Sequence, residues 1–321
     1  MLTFIVRRIL YSIPVLAVSS FLSFFFVSSA GNPVALLRGN PRISQNTIHN
    51  IIVQTHLNRS IPVRYWYWLE DVFTHKLGNS LITFQPIWPD ITRTLGHTAQ
   101  VIIISESLAL ILGVAVGIFS AIKQYSFFDY AFTSISFTGF AIPVFWFALL
   151  LQILFVDIYL HWNVRIFYTS GLNSPGQGTW SLDRLQHIGL PVIVLMTASF
   201  ALYSRYMRAS MLDVINSDYV RTARAKGVPE WRVITRHVCR NALIPIVTVS
   251  ALNFGALLGG AIITETVFQL DGIGFYFIQK LQASDLYAVM AYLMVTAVLI
   301  IVFNLVADIL YGVLDPRIRY D

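Results

Sequence analysis

The sequence predicts an all-α polytopic membrane protein with six transmembrane helices. It also predicts a structured outer loop after the first helix and a short cytoplasmic helix between the fourth and fifth. Three observations lead there: composition, long uncharged runs and the placement of Lys and Arg. Of the 321 residues 56% are hydrophobic and 12% charged, and the mean hydropathy is +0.67. Soluble domains carry roughly 25% charged residues. A chain with half that cannot cover a water-facing surface, which excludes a soluble enzyme. Disorder is excluded too, because it requires low hydrophobicity and high charge.

A membrane helix needs about 20 apolar residues to cross about 30 Å of hydrocarbon. The first such run starts at Ile9, after Arg7 and Arg8. It is too long for a signal peptide and its exit, GNP at Gly31 to Pro33, lacks a cleavage pattern. The second covers 99–121 with Glu106 inside it, and the third 130–156. The fourth covers 188–204, the fifth 242–264 and the sixth 287–311. The chain divides into a first segment (1–30), an outer loop (31–98) and a five-helix core (99–321) containing a basic loop at 205–241.

Six spans place both termini on one side. Arg7, Arg8, Arg317, Arg319 and the basic loop fall on that side, which the positive-inside rule makes cytoplasmic. The basic loop holds Arg205, Arg208, Arg221, Arg224, Lys226, Arg232, Arg236 and Arg240. The charge therefore orients the chain against lipid, and nucleic acid is not an expected partner. In the outer loop RYWYWLEDVFTHKLG sets aromatics beside charges. This suits either an amphipathic helix at headgroup level or a small packed cap over the bundle. Gly113/Gly117 and Gly255/Gly259 give two spans the spacing of closely packed helices.

The stretch from Ser217 to Pro245, SDYVRTARAKGVPEWRVITRHVCRNALIP, is the most informative. Ser217 or Asp218 can cap a helix. Gly227 suits the left-handed residue that ends one, and Pro229 with Glu230 suits the start of the next. The product is a helix, a tight turn and a second helix, rigid enough to transmit a push from a docked partner.

This segment, DYVRTARAKG followed by RNALIP, resembles the EAA loop of the transmembrane permease subunits of bacterial ABC importers, in the dipeptide, oligopeptide and nickel branch. VRRILYSIPVL, LGNSL at 77–81, AIPVFW at 141–146, TETVF at 264–268 and the final LDPRIRY resemble other landmarks of that branch, over nearly the whole chain. Two departures stand out. Arg221 occupies the position of a Glu in the general EAA pattern, and Asp271 in LDGIG stands where the branch commonly has Pro.

The resemblance implies an ATP-driven peptide importer in a bacterial inner membrane. The implied partners are a second permease, two cytoplasmic ATPases that hold ATP and Mg, and an extracytoplasmic substrate-binding protein, with membrane lipid around the bundle. It implies that Asp218, Tyr219, Arg221, Ala223, Arg224, Ala225 and Gly227 form the ATPase-coupling site. The chain has no GxxxxGK[ST] loop, so it is expected to be a transport subunit and not itself an ATPase. No catalytic constellation, cofactor motif or metal-ligand spacing is expected, with one cysteine (Cys239) and seven scattered His. Glu106, Asn253 and Asn304 are the intramembrane polar residues that could line a pathway or join helices. Asp308 is expected in a structural hydrogen bond or salt bridge. The competing reading is a secondary transporter or channel that works without an ATPase, with Glu106 as a proton relay.

Overall fold

The computed structural model describes residues 2–30, 38, 44–74, 77–178 and 181–314. The Gly31 to Pro33 break, Arg317, Arg319 and the closing LDPRIRY beyond Leu314 lie outside the described residues. The described chain is helical: α1 (Leu2–Ala30), α2 (Gln45–Gln54), α3 (Ile61–Thr74), α4 (Ile87–Ile122), α5 (Phe127–Ala141), α6 (Val144–Trp162), α7 (Leu182–Ile215) and α8 (Asp218–Ala225). Then come α9 (Glu230–Leu258), which contains a π-helical stretch at Val233–Cys239, α10 (Ile262–Val267), α11 (Ile273–Gln282) and α12 (Leu286–Leu314). Six helices, α1, α4, α6, α7, α9 and α12, are long and apolar enough to cross a membrane.

Several boundaries differ from the sequence reading. The third run, 130–156, is not one helix. Pro143 has no N–H to continue the ladder and pushes Ile142 out of helical geometry, to φ −73° and ψ 125°. The run therefore splits into α5 and α6. α4 starts at Ile87, within the expected outer loop, and its 36 residues reach about 54 Å, well beyond the hydrocarbon. α7 runs on to Ile215, so Arg205 and Arg208 belong to a span and not to a loop. α9 already starts at Glu230 and ends at Leu258, before Gly260 turns the chain at φ +120°.

α4 and α7 form the centre of the bundle. A Cβ added at Gly113 would lie 2.8 Å from Tyr203 Cβ, and one at Gly117 would lie 2.6 Å from Met207 Cβ. Only glycine permits this approach. Gly255 and Gly259 do the same for α9 against Phe303 and Thr296 of α12. Exposed Leu10, Ile13, Val18 and Phe26 on α1 and Ile153 and Leu160 on α6 face outward. Such faces are stable where lipid, not water, surrounds them.

Three buried clusters hold the bundle together. One joins Phe24, Trp68, Leu81, Ile91, Tyr276 and Tyr287, and so seats α3 as a packed cap over α1, α4, α11 and α12. The other side of α3 leaves Trp66 67% and Phe73 80% exposed. The packing of Trp68 and Tyr65 against α1 matches the reading of the aromatic segment as a packed cap. A second cluster joins α4, α6, α7, α9 and α10. The third carries α8.

Candidate functional site

α8 is amphipathic. Val220 is fully buried and Ala223 nearly so, packed with Met207 and Met211 of α7, Ala121 of α4, and Val233, Val238, Ala242 and Ile246 of α9. The opposite face is open. The Asp218 side chain is 99% exposed, and Tyr219, Arg221, Ala225 and Trp231 are exposed beside it. Asp218 and Arg221 form a loose ion pair at 3.5 Å on that face. Ala223 therefore anchors α8 inward, and Ala225 is the small residue on the open side.

Ser217 is the N-cap residue, but its hydroxyl does not cap. It donates to Val214 O at 2.7 Å, and its backbone carbonyl accepts from Val220 and Arg221, both at 3.1 Å. The C-terminal end follows the sequence reading. Gly227 takes φ +74°, its N–H donates to Arg224 O at 3.0 Å, and Val228 N–H donates to Ala223 O at 3.3 Å. These two bonds make a Schellman motif, with Val228 and Ala223 as its apolar pair. A Cβ at Gly227 would meet nothing within 4 Å, so its backbone geometry and not crowding selects glycine.

Arg224 closes the turn. Its Nε and Nη2 donate to the two Glu230 carboxylate oxygens at 3.1 and 2.7 Å, and its Nη1 donates to Ile215 O at 3.4 Å. One side chain thus ties the end of α7, the body of α8 and the start of α9. The Glu230 carboxylate holds the guanidinium above its ordinary value. Asn241 Nδ2 donates to Tyr219 OH at 3.0 Å, a second link from α9 to α8. The unit is stiff and continuous with a span. Cys239 is a half-buried thiol whose sulfur lies 3.8 Å from Met211 Sδ.

The structure brings Glu106 and Asn253 together but leaves Asn304 exposed on α12. Glu106 is buried on α4 and accepts from the Ser199 hydroxyl, from Tyr203 OH at 2.5 Å and from Asn253 Nδ2 at 3.1 Å. Three spans meet at this carboxylate. Ser199 and Tyr203 are ordinary residues in an apolar run, and nothing in their spacing marked them. Asp308 pairs with Arg8 Nη2 at 2.6 Å, joining α12 to α1 as a salt bridge. Asp129 at the start of α5 pairs in bidentate fashion with Arg208 at 2.7 and 2.8 Å.

The TETVF landmark has a structural role. Glu265 is buried and accepts from Thr98 Oγ1 at 2.6 Å and from the N–H groups of Gly274 and Phe275 at 2.7 and 3.0 Å. The carboxylate therefore caps the start of α11 and pins it to α4. Burial pushes this carboxyl upward from its ordinary value, against the pull of those three donors. The Asp271 that departs from the usual Pro pairs with Arg93 of α4, and its carbonyl lies 2.8 Å from His97 Nδ1. Asp285 accepts from Ser80 Oγ at 2.5 Å and Leu81 N–H at 3.0 Å, fastening the LGNSL segment to the start of α12.

Comparison with known proteins places these features in a family. Residues 113–320 match the binding-protein-dependent transport system inner membrane component, and residues 1–102 match the N-terminal region of such membrane components. The chain is 39% identical over its full length to the full-length oligopeptide transport system permease protein AppB of Bacillus subtilis. It is 34% identical to the dipeptide transport system permease protein DppB of Escherichia coli K12, covering 100% of this chain and 99% of that protein. Among solved structures, the inward-facing MetNI methionine ABC transporter aligns with a TM-score of 0.56 at 13% identity, over 72% of this chain and 99% of the other. That likeness is one of fold. Full-length identity above 30% and family matches over nearly all residues decide the assignment: this chain is a multi-pass inner membrane protein and belongs to the family of binding-protein-dependent transport system inner membrane components.

Proposed function

We propose that this chain is one of two permease subunits of an ATP-driven importer of dipeptides and oligopeptides, with α8 as the coupling helix. Family membership implies ATPase and binding-protein partners, and ATP hydrolysis lies in those ATPase subunits. The finer assignment is that two ATPases lie beneath the permease pair and carry ATP and Mg. The open face of α8, formed by Asp218, Tyr219, Arg221 and Ala225, docks in a cleft of one of them. Both termini are then cytoplasmic, and lipid surrounds α1, α6 and α12. Peptide cargo is supported by the full-length relatives AppB, an oligopeptide permease, and DppB, a dipeptide permease.

The observation that carries the reading is the stiffness of the α8 unit. Arg224, the Schellman turn at Gly227 and the inward anchors Val220 and Ala223 make α8 one body with α9. A displacement of α8 by ATPase closure is therefore delivered to a span. Movement of that span between α4, α7 and α12 turns the pathway outward, and hydrolysis resets it.

The test is uptake of labelled alanyl-phenylalanine into proteoliposomes carrying the complete complex and its binding protein. ATP enclosed in the vesicles, on the side of the ATPases, supports uptake, and a proton gradient alone does not. Uptake driven by the gradient without ATP would establish the secondary-transporter reading instead.

A further inference from the structure

A cavity of about 180 Å3 lies between α4, α5 and α7, on the side of the bundle that carries α8. Arg205 and Arg208 of α7 line it, together with the hydroxyl residues Ser120, Thr133, Ser136 and Ser204. Among the described residues no Asp or Glu lines it. Phe137 in its wall is 56% exposed, so the cavity opens to the surroundings of the chain. The two arginines differ in what they are bound to. Arg208 is matched, because its Nε and Nη2 donate to the Asp129 carboxylate and form a neutral pair. Arg205 is not. Its Nε donates to Ala201 O at 3.0 Å, and its guanidinium carbon lies 4.4 Å from the centre of the Phe140 ring and 5.3 Å from that of Phe137.

Aromatic rings engage the face of a guanidinium and leave the donors along its edge free. Among the described residues Arg205 Nη1 and Nη2 have no acceptor, and no carboxylate lies within ion-pair distance of them. Near the cavity α4 ends at Ile122 and α5 begins at Phe127, so two helix ends of opposite dipole sign offset each other. One net positive charge remains. Its depth is set by the sequence. Residues 188–204 carry no charge and Arg205 ends that run. The run rises about 25 Å as a helix, close to the full thickness of the hydrocarbon, so Arg205 stands at its edge, at the level of lipid phosphates. Exposed Ile135, Phe137 and Phe140 of α5 present an apolar face beside the cavity mouth. An arginine at the membrane boundary calls for a partner, and basic pockets between spans at this depth suit anionic headgroups.

We propose that this cavity is a binding site for the phosphate of an anionic phospholipid. The phosphate oxygens accept from the free edge of Arg205, the Ser136 and Ser204 hydroxyls meet the headgroup, and the acyl chains lie along the apolar face of α5. A phosphatidylglycerol headgroup suits the lining. An ethanolamine headgroup does not, because its ammonium meets two arginines, and the nearby Asp129 is already held by Arg208. The bound lipid joins α5 to α4 and α7. The inference rests on the membrane location of the chain and is independent of its cargo.

The experiment titrates the complete detergent-solubilised complex with dioleoylphosphatidylglycerol or dioleoylphosphatidylethanolamine and resolves the bound lipids by native mass spectrometry. The wild type holds its tightest phosphatidylglycerol several-fold more strongly than phosphatidylethanolamine. Arg205→Gln weakens that phosphatidylglycerol about tenfold, the worth of one charge-assisted hydrogen bond, and abolishes the preference. Arg236→Gln removes the same charge from an exposed position outside the cavity and leaves binding within about twofold, since salt screens exposed charges at a distance. Ala209→Leu narrows the cavity without changing charge, and so decides the matter even if Arg205→Gln does not assemble. It weakens phosphatidylglycerol at least about threefold by filling the space the headgroup needs. Wild-type binding in both cavity variants would overturn the proposal. So would an equal loss in Arg205→Gln and Arg236→Gln, which marks diffuse attraction to a basic face. Displacement of the lipid by millimolar inorganic phosphate would make this a site for free anions and not for lipid. A cross-link from Arg205→Cys to the second permease, with no tightly held lipid, would put a protein there instead.

Discussion

Arg224 on α8 grips Glu230 at the start of α9 through two hydrogen bonds of 3.1 and 2.7 Å, across a turn only four residues long. The pair is exposed, so it contributes little to stability, about 0.2–1 kcal/mol. Its importance is geometric. It sets the angle between the helix that receives a push and the helix that carries it. Arg224→Glu is expected to lower ATP-driven uptake several-fold while leaving the amount of assembled complex unchanged. The double change Arg224→Glu with Glu230→Arg restores much of the loss. Uptake assays on both variants, with no recovery in the double variant, would remove the pair from the coupling account.

Gly227 stands at φ +74° with open space around its Cα. Valine there costs about 1–2 kcal/mol or more, because β-branched residues resist the left-handed region. The local cost unwinds the Schellman turn and not the bundle, since nothing packs on that position. Gly227→Val should therefore leave the complex assembled and hydrolysing ATP while uptake falls at least about tenfold. Equal ratios of peptide moved per ATP in variant and wild type would contradict this.

Gly117 tests the centre of the fold. A side chain there enters Met207 and the Ser204 carbonyl at 2.6 and 2.7 Å. Gly117→Leu must push α4 from α7, at a cost of about 1–3 kcal/mol or more from overpacking. The expected result is a clear drop in thermal stability of the detergent-solubilised complex. Gly96, which has nothing within 4 Å, is the control, and Gly96→Ala should leave stability unchanged or slightly raised.

Glu265 caps α11 with three accepted bonds. Glutamine keeps the shape but presents an NH2 where a donor already points. Thr98 Oγ1 then loses its acceptor while still receiving Ile273 N–H at 2.8 Å. Glu265→Gln should destabilise the α10–α11 segment by about 1–3 kcal/mol, the cost of a buried polar group left unmatched. Faster proteolysis or hydrogen exchange confined to the α10–α11 region would register it, and unchanged protection there would show that the cap is dispensable.

The spans and the α8 turn were legible in the sequence for a physical reason: each depends on neighbours along the chain. Lipid demands long uncharged runs, and a Schellman end demands Gly227 with an apolar residue after it. Pro143 carries a signal for the split into α5 and α6, but the apolar run around it has the length and composition of a single span. The polar contacts were not legible. Thr98 and Glu265 are 167 positions apart, Glu106 and Asn253 are 147 apart, and Leu81 and Asp285 are 204 apart. Glu106 and Asn253 stood out singly as costly polar groups in apolar runs, but nothing in their spacing foretold that they meet. The resemblance names Ala223 among the coupling residues, and only the phase of α8 against α7 and α9 shows that its side chain points inward.

The central claim is that the open face of α8 docks on an ATPase subunit from the cytoplasm. Arg221, 71% exposed on that face, is the position to probe. With Cys239→Ser to remove the native thiol, Arg221→Cys should cross-link to an ATPase subunit through a short bifunctional reagent, with a yield that changes when ATP is added. Ready labelling of that thiol by a membrane-impermeant maleimide from outside the cell, or free labelling in the assembled complex with no ATPase adduct, would contradict the account.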